Sequence, residues 1–208
     1  MAVKIRLRRM GTRNAAFYRV IIQDSRRAPT GRFIETIGWY DPKQEGTNFL
    51  LNLDRVDYWL GCAYEGIDDT ETATTYFEMA SEGLSDPSPA IFYNDQQPDK
   101  IFYQGLALQK LGKDKDAKKR FKNLLNYGKE HMNDNVKLDY FAISLPDLLI
   151  WEEDLNVINK IHCNYLIGLG ELGIGNEVEA IQAFDKVKKT NLSHIPAHIH
   201  QALVGVKS

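Results

Sequence analysis

Gly168-x-Gly170-x-x-Gly173 has the glycine spacing of a dinucleotide-binding turn. Such a turn works where a strand ends and a helix begins, so that backbone N–H groups meet a pyrophosphate. Here the preceding IHCNYLI continues a helical pattern and Gly173–Gly175 reads as its turn, so no cofactor is expected. His194 and His198 have the i,i+4 spacing of a helical metal pair, with His200 beside them. Pro196 interrupts them and no carboxylate or cysteine accompanies them, which favours a plain surface helix and no metal. Asp147 and the run Trp151-Glu152-Glu153-Asp154 supply carboxylates, but nothing fixes their separation, and an exposed acidic loop explains them. Cys62 and Cys163 lie at small-residue positions of helical patterns and read as core. No serine, cysteine or lysine has a recognisable nucleophile setting. No catalytic residue is expected, and the chain is not expected to be an enzyme.

Binding chemistry is another matter. The net charge of −2 hides a division: residues 1–60 carry 11 Lys/Arg against 6 Asp/Glu, and residues 61–208 carry 15 against 22. Within residues 1–32 nine cations face one acid, Asp24. A segment that basic predicts a polyanion partner, and the acidic remainder should avoid one. Lys4, Arg6, Arg8, Arg9, Arg13, Arg19, Arg26, Arg27 and Arg32 are the candidate RNA contacts, since arginine forks onto phosphate. Phe17, Tyr18 and Trp39 are weaker candidates that would stack on unpaired bases.

Strands must position these cations. AVKIRLRR alternates, with Val3, Ile5 and Leu7 predicted on a core face and Lys4, Arg6 and Arg8 on the opposite one. AFYRVIIQD has the aromatic and β-branched content of a central strand. SRRAPTGR is a loop around Pro29 and Gly31. FIETIGWYDP is a third strand, TNFLLNL a short fourth, and Asn52 or Asp54 an N-cap for the helix that follows.

Together these residues resemble the start of the bacterial small-subunit ribosomal protein sixteen family. The carriers are Val3-Lys4-Ile5-Arg6-Leu7, Arg9-Met10-Gly11, Phe17-Tyr18-Arg19, Asp24-Ser25-Arg26, Gly31-Arg32-Phe33-Ile34-Glu35 and Gly38-x-Tyr40-x-Pro42, with LDRVDYWL more loosely. The resemblance implies a small α+β domain that binds ribosomal RNA beside neighbouring ribosomal proteins, without catalysis. Past Leu60 the chain departs from the family, whose final helix is expected to be missing or replaced.

From Gly61 another pattern begins. Ala73 and Phe77 lie 12 and 16 residues beyond Gly61; Ala117 and Phe121 keep those offsets from Gly105, and Ala180 and Phe184 from Gly168. That spacing, with LGCAY at its head, is tetratricopeptide-like, and Gly112 and Gly175 fall at the inter-helix turns. HIPAHIHQALV reads as the first helix of a further, truncated repeat. Residues 91–205 also resemble the C-terminal repeats of large bacterial carbohydrate-associated proteins, through IFYQGLALQKLGKDKDAKKRF, DYFAISLPDLLIWEEDLN and IHCNYLIGLGELGIGN.

The expected architecture is therefore an α+β module, a small mostly antiparallel sheet plus helix, over residues 1–60. An all-α tetratricopeptide-like array follows over 61–208, joined inside one helix near Leu60–Gly61. The expected function is a structural constituent of the small ribosomal subunit, cytoplasmic, with the repeats as an interaction scaffold. The alternative is a protein- or peptide-binding scaffold in which the basic module is a passenger of a gene fusion or mis-joined reading frame. No apolar run approaches the roughly 20 residues of a membrane span, and no secretory leader is expected.

Overall fold

The structure is a computed structural model that describes residues 3–44, 49–51, 53–90, 97–136 and 154–205. Four strands, β1 (Val3–Gly11), β2 (Ala16–Asp24), β3 (Glu35–Tyr40) and β4 (Phe49–Leu51), form one antiparallel meander in that order. Seven helices follow among the described residues: α1 (Leu53–Glu65), α2 (Thr70–Ser81), α3 (Pro98–Lys110), α4 (Asp114–Glu130), α5 (Leu155–Ile174), α6 (Glu177–Thr190) and α7 (Ile195–Gln201). Of the expected caps, Asn52 lies outside the described residues, as do Asp147 and Trp151 to Glu153, whereas Asp54 lies inside α1.

Paired residues of antiparallel strands share a face. Val3, Ile5 and Leu7 pair with Asp24, Ile22 and Val20, while Lys4, Arg6 and Arg8 pair with Gln23, Ile21 and Arg19. The alternation in β1 therefore holds, but its core does not run the whole strand. Val3 is buried, Ile5 half-buried and Leu7 57% exposed. Leu7 is thus not a core residue: α1 packs on the near part of β1, where Val3 joins Ile22, Ile37, Tyr58 and Trp59, and the far part of the hairpin projects beyond it.

The helices form three hairpins, α1–α2, α3–α4 and α5–α6, with α7 packed on α6. Each repeats one close contact. A Cβ on Gly61 would lie 2.5 Å from the Phe77 ring, one on Gly105 2.3 Å from Phe121 and one on Gly168 2.5 Å from Phe184. The 16-residue offset is thus a helix bearing no side chain where its partner's phenylalanine lies across it. The hairpin turns need a left-handed residue, supplied by Gly112 (φ 71°) and Gly175 (φ 96°). In the first hairpin Asp68 takes that place at φ 64°, seven residues after Gly61 like the others.

The glycines of the dinucleotide-like spacing all lie inside α5. Gly168 meets Phe184, Gly170 the Phe121 carbonyl and Leu125, and Gly173 the Phe121 ring, and the turn falls only at Gly175. They are packing glycines. Gly128 has little room to change, because a Cβ there would come 2.6 Å from the Cys163 carbonyl oxygen and 2.8 Å from Ile167 Cγ1. Backbone cannot rotate aside as a side chain can. Gly128→Ala is expected to destabilise by about 1–3 kcal/mol in urea unfolding, whereas an unchanged midpoint would mean that α4 and α5 slide apart freely.

One apolar core runs through all of this. It joins Val3, Ile22 and Ile37 of the sheet to Tyr58, Phe77, Phe102, Phe121, Leu166, Phe184 and Ala197 of the helices. Helix α1 crosses Leu60–Gly61 without a break.

Candidate nucleic-acid interface

The outer face of β1–β2 is not bare. The loop after β2 folds back across it, and Gln23 is the fastener: its Nε2 donates to the Ala28 and Arg32 carbonyls at 2.9 and 3.2 Å. Gln23 and Ile21, both on this outer face, are consequently fully buried. Sequence reasoning passed over Gln23, whose signal is a polar residue inside an apolar strand run.

The nine candidate cations divide into two sets. Arg6 donates to Gln23 Oε1 at 2.6 Å and to the Arg27 carbonyl at 2.8 Å, and Arg8 reaches the Gly31 carbonyl at 3.4 Å with its guanidinium over the Phe33 ring. Arg9 donates to the Thr12 and Arg13 carbonyls at the β1–β2 turn. Arg26 forks onto Asp24 at 3.0 and 2.6 Å, holding that carboxyl well below the usual carboxylate range. These four shape the loop and the turn. Lys4, Arg13, Arg19, Arg27 and Arg32 are exposed, and among the described residues their heads make no hydrogen bond or ion pair.

The aromatic candidates separate as well. Tyr18 stacks on Tyr40 with ring centroids 6.0 Å apart. Phe17, 37% exposed, and Trp39 line an open cleft of about 610 Å³ with Arg19. Its far wall is Ile195, Pro196 and Ile199 of α7, so the helical part borders the cationic face.

The histidines do not converge on one point. His194 Nδ1 caps α7 by accepting from the Ala197 N–H at 3.1 Å, and His198 Nε2 meets the Leu192 carbonyl at 3.0 Å. His200, expected on a surface helix, is fully buried against Phe102, Tyr103 and Tyr165. The α7 turn carries it inward because Ala197 and His200, three apart, form the buried edge of that short helix. Burial pushes the thiols of Cys62 and Cys163 up to about 11, so neither is a ready thiolate.

Beneath the sheet lies a polar cluster that the sequence did not announce. Glu35 of β3 is fully buried and accepts from Trp59 Nε1 of α1 at 2.5 Å and from the Tyr103 hydroxyl of α3. Arg55 of α1, which packs over the Tyr103 ring, is ion-paired with buried Asp99 of α3. Burial raises the Glu35 carboxyl, and nearby Arg55 opposes that rise.

Comparison with known proteins matches residues 9–63 to the model of ribosomal protein S16 and residues 101–127 to a tetratricopeptide repeat. The chain is 48% identical over 80 residues to the small ribosomal subunit protein bS16 of Lachnoclostridium phytofermentans, covering 38% of this chain and 95% of that one. With its counterpart from Clostridium botulinum strain Eklund 17B it shares 45% over 85 residues, 41% of this chain and 99% of the relative. The bS16 of Acidothermus cellulolyticus is 44% identical over 82 residues, 39% of this chain and 45% of that longer protein. The relatives' match of 80 residues extends beyond the end of α1. Helix α1 lies within the S16 match, and its Gly61 makes with Phe77 of α2 the same close contact as Gly105 makes with Phe121 in the tetratricopeptide-matched stretch. Through its sheet and first helix hairpin, this chain belongs to the ribosomal protein S16 family.

Proposed function

We propose that the chain is a structural, non-catalytic RNA-binding protein of the small ribosomal subunit, with a helical-repeat extension that shares its core. The observation that carries this is the set of exposed cations Lys4, Arg13, Arg19, Arg27 and Arg32 on a module of the S16 family. Their partners would be small-subunit ribosomal RNA and adjacent ribosomal proteins, in the cytoplasm. Arg6, Arg8, Arg9 and Arg26 act in this reading mainly by holding the loop and turn that present the others. On this view two units of different origin, expected over residues 1–60 and 61–208, meet inside the first helix hairpin, since the S16 match runs through residue 63.

Binding of the full chain to small-subunit ribosomal RNA tests the proposal. Replacing Arg13, Arg19, Arg27 and Arg32 with alanine is expected to lower the slope of log affinity against log salt by about 3, at roughly 0.7–0.9 per lost phosphate contact. Equal slopes for both proteins would remove the electrostatic basis of the reading.

A second reading, a protein- or peptide-binding scaffold, has one observation behind it. A cavity of about 290 Å³ lies between the hairpins, floored by Tyr58, Trp59, Cys62, Phe102, Leu106 and Leu172. Concave apolar surfaces of stacked helix pairs suit a partner segment. The passenger version of this reading fits poorly with Glu35, a sheet residue whose buried carboxylate is satisfied from α1 and α3. A glycan-directed role, suggested by the resemblance of residues 91–205, has no observation of its own behind it and is set aside.

A further inference from the structure

The acidic helical half carries a cationic face of its own. Residues 113–122 hold six basic residues, Lys113, Lys115, Lys118, Lys119, Arg120 and Lys122, against Asp114 and Asp116. Helix α4 buries Ala117, Phe121, Leu124 and Gly128 against its neighbours. At 3.6 residues per turn, Lys115, Lys118, Lys119 and Lys122 (i, i+3, i+4, i+7) fall on the opposite side, along about 10 Å of helix. All four are exposed, and among the described residues none has a hydrogen bond or an ion pair. Farther along the same side come exposed Asn126 and Lys129, the latter 3.5 Å from Glu171.

The lysine pairs themselves work against the helix, although Asp114 and Asp116 in the first turn favour it. Lys115–Lys119 and Lys118–Lys122 are like-charged i,i+4 pairs, each unfavourable by a few tenths of a kcal/mol. Lys115 also sits in the first turn, where the helix dipole disfavours a cation. A bound polyanion would relieve both.

We propose that this lysine face of α4 is a second RNA-phosphate contact, separate from the sheet and its loop. The inference rests on the ribosomal reading and assigns the repeat module a part in it. The chemistry favours nucleic acid over a protein partner. A specific protein interface needs an apolar anchor at its centre, and this face from Lys115 to Asn126 consists of lysines and one asparagine. A phosphate backbone asks only for positive charge at suitable spacing.

The experiment uses the full chain with Lys115, Lys118, Lys119 and Lys122 all replaced by alanine. These positions are exposed and alanine favours helix, so circular dichroism should match the parent. Binding to small-subunit ribosomal RNA is followed against salt, with poly-glutamate as a second probe. The variant is expected to lose about 3 from the log–log salt slope, additively with the arginine variant described above. A slope unchanged in the lysine variant but reduced in the arginine variant overturns this inference alone. Absence of RNA binding by the parent overturns both readings. Loss of poly-glutamate binding with the RNA slope intact overturns the inference in favour of an acidic protein partner.

Discussion

Glu35→Ala is expected to destabilise the whole molecule by about 3–5 kcal/mol, the range for stripping one partner from a buried charged cluster. The carboxylate of Glu35 is fully buried and accepts hydrogen bonds from Trp59 Nε1 and the Tyr103 hydroxyl. Removing it strands two buried donors and leaves the positive charge of Arg55 with Asp99 as its remaining acidic neighbour in the cluster. Tyr103→Phe leaves one carboxylate oxygen underbonded and is expected to cost less, about 1–3 kcal/mol. At ordinary urea sensitivity the Glu35 variant should unfold more than about 1 M earlier. The informative feature is which signals move. Glu35 lies in the sheet and Tyr103 in the second hairpin, 68 residues apart, within one apolar core. Far-ultraviolet helix signal and near-ultraviolet aromatic signal should therefore shift together. A helix transition that stays at the parent midpoint while the aromatic one moves would show two independently folded modules.

What the sequence revealed and what it hid divide along a physical line. Features written in a short period were legible: the two-residue alternation of β1, and the 12- and 16-residue offsets that bring Phe77, Phe121 and Phe184 onto their glycines. Features set by contacts between distant segments were not. That Leu7 lies beyond the reach of α1 depends on how far the helix extends along the sheet, which no local pattern encodes. Glu35 reads as an ordinary polar residue at the start of a strand until α1 and α3 close over it. The turn role of Asp68 was in principle legible, since it occupies the same offset from Gly61 as Gly112 and Gly175 do from their anchors. It was masked because the turn-signalling glycine is absent there.

The candidate site shows the same division. Composition revealed that the first 32 residues are cationic, and this holds at the surface through Lys4, Arg13, Arg19, Arg27 and Arg32. Composition could not tell which cations face solvent and which face carbonyls of their own chain. Arg6 and Arg8 point outward from the strand as alternation requires, yet meet the loop of residues 25–34 folded over them. The expectation that the acidic half avoids polyanions averaged over 148 residues, and so missed a ten-residue cationic segment in α4.

Acid should unfold this protein earlier than its carboxylates alone would require, because two histidines are buried in neutral form. Burial lowers His162 to about 4 and His200 to about 3. For His200 the geometry explains the direction. Its Nδ1 lies 2.8 Å from the Pro196 carbonyl, which can only accept, so Nδ1 carries the proton. Nε2 is buried without a partner, and protonating it would place an N–H where nothing receives it. Both folded-state values lie below the unfolded value of about 6.5, so the unfolded chain binds more protons and stability falls as pH drops below that point. The slope approaches about 1.4 kcal/mol per pH unit and histidine only well below pH 6.5, so the two together remove about 3 kcal/mol between pH 6.5 and pH 5. Glu35 acts in the opposite sense, since a raised carboxyl gains stability as pH falls toward its unfolded value, so the histidine share must be isolated. His200→Phe does so: it keeps an aromatic ring beside Phe102, Tyr103 and Tyr165 and removes the titration. Its stability relative to the parent should improve by about 2 kcal/mol on going from pH 6.5 to pH 5. Urea midpoints of the two proteins that run parallel across that interval would mean His200 is reached by solvent protons in the folded state.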